Sequence, residues 1–225
     1  MNFLSHYYLH RKHDDNFFTV GLTTPDLLGF HSNRVRVTEF FLLEALDKYQ
    51  NPDVRSCIRG MIIHLRLDKW FHSSDFFKEN LSFLKENYIK MTDHDDMPHH
   101  ICHILLEILL DRHLLFRTPD LADNFYDSYK RFDFDSITGL LSKLKNFDRE
   151  KFLTLTTNIS NSTFLNDYKD IPKIIGIIER VAKRIEFPFS LKPEAHTLIS
   201  YMEDSFGALR DKMEKLFEGA KTQEF

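Results

Sequence analysis

Two pairs of residues in this chain have the types and the spacing to do chemistry together. His64 and Asp68 stand four residues apart, as do His103 and Glu107. On a helix that spacing stacks both side chains on one face, one turn apart. Imidazole with carboxylate is the donor set for Zn²⁺, Mn²⁺ or Fe²⁺. Both pairs sit in mostly apolar segments, IRGMIIHLRLDKW and HHICHILLEILLDRHLL. A carboxylate there is strongly disfavoured unless a cation or a partner charge offsets its desolvation. A single HxxxE or HxxxD also suits a hydrogen-bonded pair or a solvated face. It is the recurrence of the pair on two apolar helices that points to a metal. His6, in the apolar opening NFLSHYYL, and Asp26, in VGLTTPDLLG, read as a Gly/Thr/Pro-punctuated loop between hydrophobic runs, are further candidate ligands. Their plainer readings are a core histidine with a backbone partner and a helix N-cap.

These side chains need rigid elements to bring them together, and the hydrophobic period supplies helices. Thr38–Tyr49 places Phe40, Phe41, Leu43 and Leu46 on one stripe. Asn51-Pro52 opens a helix over Asp53–Asp68, and Phe76–Ile89 continues at helical period. Pro98 suits the first turn of a helix running to about Leu115, apolar nearly all round and therefore central. Leu121–Phe132, Asp135–Leu144, Asp148–Leu155, Ile171–Ile185 and Lys192–Ala220 read as further helices, with the clearest break at Phe187-Pro188-Phe189. Strand signals are almost absent. The expectation is one all-α, compact multi-helix domain over residues 1–225, with a metal site within residues 1–115.

Composition narrows the classes. Only 7 Gly and 7 Pro occur, too few for a turn-dense β-sandwich or barrel, and 22 Phe against one Trp predict a core filled by phenyl rings. A net charge of −4 argues against a nucleic-acid binder, and no apolar run is long enough to span a membrane. Two cysteines without a disulfide framework, and an opening unlike a secretion signal, point to the cytoplasm. Of 12 histidines, 11 lie between His6 and His113, so the polar chemistry is expected in the first half.

The same segments resemble a known family. MNFLSHYYL is similar to the MNFLAHLxL opening of bacterial acyl carrier protein phosphodiesterases, and VGLTTPDLLG to their GNLxxDFxxG loop, with Gly21 and Asp26 in register. IRGMIIHLRLDKWFHSS resembles GIxxHRxIDxFTDSH through Gly60, His64, Arg66 and Asp68, and HILLEILLDRHLL resembles DxxxDHFLxxHW through Leu110 and His113. STFLNDYKDIPKIIGIIERVAKR is similar to the stretch before that family's C-terminal helix. The resemblance implies a distorted relative of the helical HD-type metal phosphohydrolases. It also implies a divalent cation, commonly Mn²⁺, and acyl carrier protein as substrate, cleaved at the phosphodiester between its serine and 4′-phosphopantetheine. Three departures stand out: His72, His103 and Glu107 occupy positions where the family has Asp, and each can still bind a metal. The resulting ligand order also resembles that of zinc-dependent phospholipases C and P1-type nucleases, although the flanking sequence does not.

His6, Asp26, His64, Asp68, His103 and Glu107 are thus the expected ligands, for one or two Mn or Zn ions. Arg66 and Arg112 are candidates for holding phosphate oxygens, because a guanidinium can bind two at once. His72 or His113 would protonate the leaving oxygen or orient a ligand. Arg34, Arg36, Arg55, Arg59 and Lys69 would form a basic rim for an acidic carrier protein, and the remaining histidines are expected to be solvated or capping. Two other readings stay open: a metallohydrolase of another phosphoester, and a non-catalytic helical binding protein.

Overall fold

The computed structural model describes residues 1–11, 15–31, 35–92, 97–184 and 195–223. Among them every regular element is helical and no strand occurs. The expected break at Phe187-Pro188-Phe189, together with Arg34, His13 and His94, lies outside the described residues.

Twelve α-helices follow one another among the described residues: α1 Phe3–His10, α2 Asn16–Gly21, α3 Thr24–His31, α4 Glu39–Lys48, α5 Pro52–Ser73, α6 Asp75–Thr92, α7 His99–Arg117, α8 Leu121–Lys130, α9 Thr138–Leu141, α10 Arg149–Ser160, α11 Ile171–Arg184 and α12 Ala195–Lys221. Side chains fix several of the starts. Thr38 caps α4 by accepting from the Phe41 amide, and Asp148 caps α10 by accepting from Lys151. At α5, Asn51 Oδ1 accepts from both the Asp53 and Val54 amides ahead of a proline that needs no donor. Two expectations are adjusted. The stretch read as one helix over Asp135–Leu144 is a 3₁₀ turn, Phe134–Ile137, followed by the single turn of α9. VGLTTPDLLG is not a loop: only Leu22 and Thr23 separate α2 from α3, and Asp26 lies in the first turn of α3.

The described chain falls into two compact units. The first comprises Met1–Trp70 with Asp120–Thr163, and the second Phe71–Pro119 with the chain from Phe164 onward. Within the first, α1 and α2 pack on α8, and α3 packs on α10. Its core carries Phe3, Phe125 and Phe152, all essentially inaccessible. Within the second, α12 lies along α6 and α7, and α11 packs on α7. Its core holds Phe71, Phe217, Tyr88 and Tyr201, with the Tyr201 hydroxyl donating to the Leu84 carbonyl.

Two glycines set how closely α2 approaches α5. A Cβ on Gly21 would stand 2.2 Å from the Cys57 carbonyl oxygen, and one on Gly60 would stand 2.2 Å from that of Phe18. Backbone therefore lies against backbone at this crossing. Asp15 reinforces it, capping α2 through the Phe18 amide and accepting from the Ser56 hydroxyl on α5. The crossing carries the Leu22–Thr23 turn up against the middle of α5, where His64 lies.

Candidate metal centre

His64 is buried on α5, and its Nδ1 lies 2.7 Å from the Leu22 carbonyl oxygen. A carbonyl can only accept, so Nδ1 carries the proton. In the neutral ring Nε2 then presents its lone pair. That nitrogen lies 3.6 Å from Asp26 Oδ1 and 3.7 Å from Asp68 Oδ2. The arrangement thus sets a nitrogen lone pair against two carboxylates. With that ring neutral, a cation among these groups would be attracted by all three.

His6, at the middle of α1, completes the group. It is fully buried, its ring stacks on that of His64 with centroids 3.9 Å apart, and its Nε2 lies 3.1 Å from Asp68 Oδ1. Burial, helped by the neighbouring His64, pushes its pKa down to about 4. The ring is therefore neutral near pH 7, the state in which imidazole binds a metal. Its Nδ1 is buried without a hydrogen-bond partner among the described residues. One donor atom each from His6, Asp26 and His64 lies within 4.8 Å of the other two. Asp68, about a quarter exposed, also accepts from the Met1 amino group at 2.7 Å. Burial would raise its carboxyl, but that amino group, then His6 and His64, hold it well below the usual carboxylate range.

In the second unit, His72 from the last turn of α5 meets His103 and Glu107 from α7. The two Nε2 atoms are 3.1 Å apart, and they lie 3.4 Å and 2.8 Å from Glu107 Oε1. Burial favours the neutral acid at Glu107, yet positive charge near it, and then hydrogen bonds from His103 and His72, keep it well below its ordinary range. His72, read from sequence as an acid or an orienting group, therefore stands among potential ligands.

Comparison with known proteins finds no match: no family model, curated protein or solved structure matches the chain.

The remaining candidates are engaged elsewhere. Residues two apart on a helix point about 200° apart, so Arg66 leaves the face that carries His64 and Asp68. Its Nε donates to Glu39 at 2.7 Å. Arg112 donates to the Tyr168 carbonyl and lies over Phe116 and Phe206. His113 pairs with Glu214 at 3.0 Å. In the expected basic rim, Arg55 donates to the Leu46 and Tyr49 carbonyls at the end of α4, while Arg36 and Lys69 are exposed. The group that sequence reasoning missed is the Leu22 carbonyl, a backbone atom that no side-chain pattern reports. Its only trace was its place directly after Gly21 in the punctuated stretch. Tyr129, which hydrogen-bonds Thr23 in the same turn, left no signal at all.

Proposed function

We propose that the chain is a metal-dependent phosphodiesterase whose divalent cation is held by His6, Asp26, His64 and Asp68. One observation carries the reading: the Leu22 carbonyl engages His64 Nδ1, so that Nε2 faces two carboxylates. The buried Nδ1 of neutral His6, without a hydrogen-bond partner among the described residues, fits the same donor set. When bound, such a cation lowers the pKa of its water from about 15.7 toward about 7 and stabilises charge on phosphoryl oxygens.

The chain's own residues do the positioning. Leu22 keeps His64 in one tautomer, as outer partners of metal-bound imidazoles do. Asp26 and Asp68 would supply carboxylate oxygens to a dication, Asp68 while also accepting from the Met1 amino group. The close packing of α2 on α5 keeps Asp26 within reach of His64. Arg66 and Arg112 have no part in this reading, since each is held by another partner.

The resemblance supplies the substrate: the bond between an acyl carrier protein serine and 4′-phosphopantetheine, cleaved by a distorted relative of the HD-type enzymes with Mn²⁺ or Zn²⁺. The test incubates the purified chain and each metal with holo acyl carrier protein. A panel of simple phosphomonoesters and phosphodiesters is run alongside. Release of 4′-phosphopantetheine, lost in His64→Ala, is the expected result. Turnover of the panel alone would retain the hydrolase and discard the carrier protein. No hydrolysis with either metal would overturn the reading.

A further inference from the structure

We infer that His72, His103 and Glu107 form a metal site of the second unit, selective for zinc-type ions, whose open position takes water or an anion. The inference is independent of the phosphodiesterase reading and needs no residue of the first unit.

The geometry is the starting point. Nitrogen and oxygen donors bind zinc at about 2.0–2.2 Å, so two donors at tetrahedral angles stand about 3.3 Å apart. The three donor atoms here are separated by 3.1 Å, 3.4 Å and 2.8 Å. Little movement would bring all three to one ion. Their chemistry selects among ions. Two imidazoles with a single carboxylate suit zinc and its neighbours, whereas calcium and magnesium require oxygen-rich shells.

The surroundings hold the donors in place and leave one side open. Both imidazoles pack edge-on against Phe77, at 4.8 Å and 5.0 Å, and meet each other edge-on at 4.9 Å. Their rotamers are thereby restricted without enclosing them: His72 and His103 are each about one third exposed. His72 also lines a cleft of about 240 Å³ that is bordered by Lys78, Lys85 and His99. Three protein donors plus a vacant fourth position is the arrangement of an exchangeable or catalytic zinc, not of a closed structural one. The lysines of that cleft would favour an anion beside His72.

The test uses the full chain stripped with a chelator and titrated with Co²⁺, whose visible absorption reports tetrahedral nitrogen and oxygen coordination. Zinc competition then gives affinity and stoichiometry. The wild type should develop the cobalt signal and lose it to zinc. In His103→Gln the affinity at this site should fall by more than the roughly 10–100-fold that outer-shell changes cost, with one zinc equivalent lost. His72→Gln, at a more exposed position, should behave likewise and covers the case in which His103→Gln does not fold. His64→Gln should retain the signal. A cobalt signal and zinc stoichiometry undiminished in both glutamine variants, or a signal lost entirely with His64→Gln, overturns the assignment. So does a wild-type chain that gives none. Loss of phosphodiesterase activity alone bears only on the preceding reading.

Discussion

His31 illustrates how much one buried imidazole can hold. Its Nε2 accepts from the Asp148 amide at 3.2 Å, and its ring packs between Phe147 and Phe152. Only the neutral ring can accept. Burial first, and Lys151 second, lower its pKa from 6.5. As pH drops below 6.5 the unfolded chain takes up this proton before the folded one does, so the folded state loses stability in that range. Chemical denaturation across that range should show a steeper decline for wild type than for His31→Gln, whose side-chain oxygen can still accept. The bond itself contributes about 1 kcal/mol; parallel profiles would show that His31 is not the titrating group. The sequence placed His31 only among solvated or capping histidines, because its partner is an amide 117 residues away. His64 and Asp68, by contrast, were legible, since an i, i+4 pair on an apolar helix brings its own geometry. Arg66 was assigned to the site by proximity in sequence, yet the helical period turns it to the other side.

The α2–α5 crossing is where local sequence and tertiary packing meet. Gly21 and Gly60 stood out only as matches to family motifs; the structure gives the physical reason, since neither position has room for a Cβ. Gly60→Ala should therefore push α2 off α5. The cost is expected at or above the top of the roughly 1–3 kcal/mol typical of overpacking, despite alanine's better helix propensity. Urea unfolding measures it, and a neutral or stabilising result would mean the helices are free to separate. The variant should also weaken any metal bound through Asp26, because α2 positions the turn that leads to that residue. Helix positions were readable from hydrophobic period and, at α5, from Asn51-Pro52; the caps at Thr38 and Asp148 came with the structure. The short elements were not readable. Phe134–Leu141 carries a helical pattern but divides into two conformations, and Asn146 takes a left-handed φ of 64° before α10 begins. Periodicity alone does not register such changes.

Over the whole chain, the all-helical class follows from composition and period, and it holds among the described residues. The division into two units was not anticipated, because each is assembled from segments far apart in sequence. The crowding of histidine before His113 is divided: His6 and His64 belong to the first unit, His72 and His103 to the second. Six ligands were read as one set. Residue type identifies donors well, whereas only the folded path of the chain says which ones meet.

The two cysteines are distributed in the same way. Cys57 lies in the first unit and Cys102 in the second, each almost fully buried, and burial pushes the Cys57 thiol up to about 12. Neither sulfur is reactive while its surroundings stay closed. A colorimetric disulfide reagent should thus modify native protein slowly. The Cys57→Ala and Cys102→Ala variants, each left with one thiol, would then time the opening of each half separately. Equal rates in both would mean that the halves open together; unequal rates would rank them. Prompt modification of either would show that its burial is not maintained in solution.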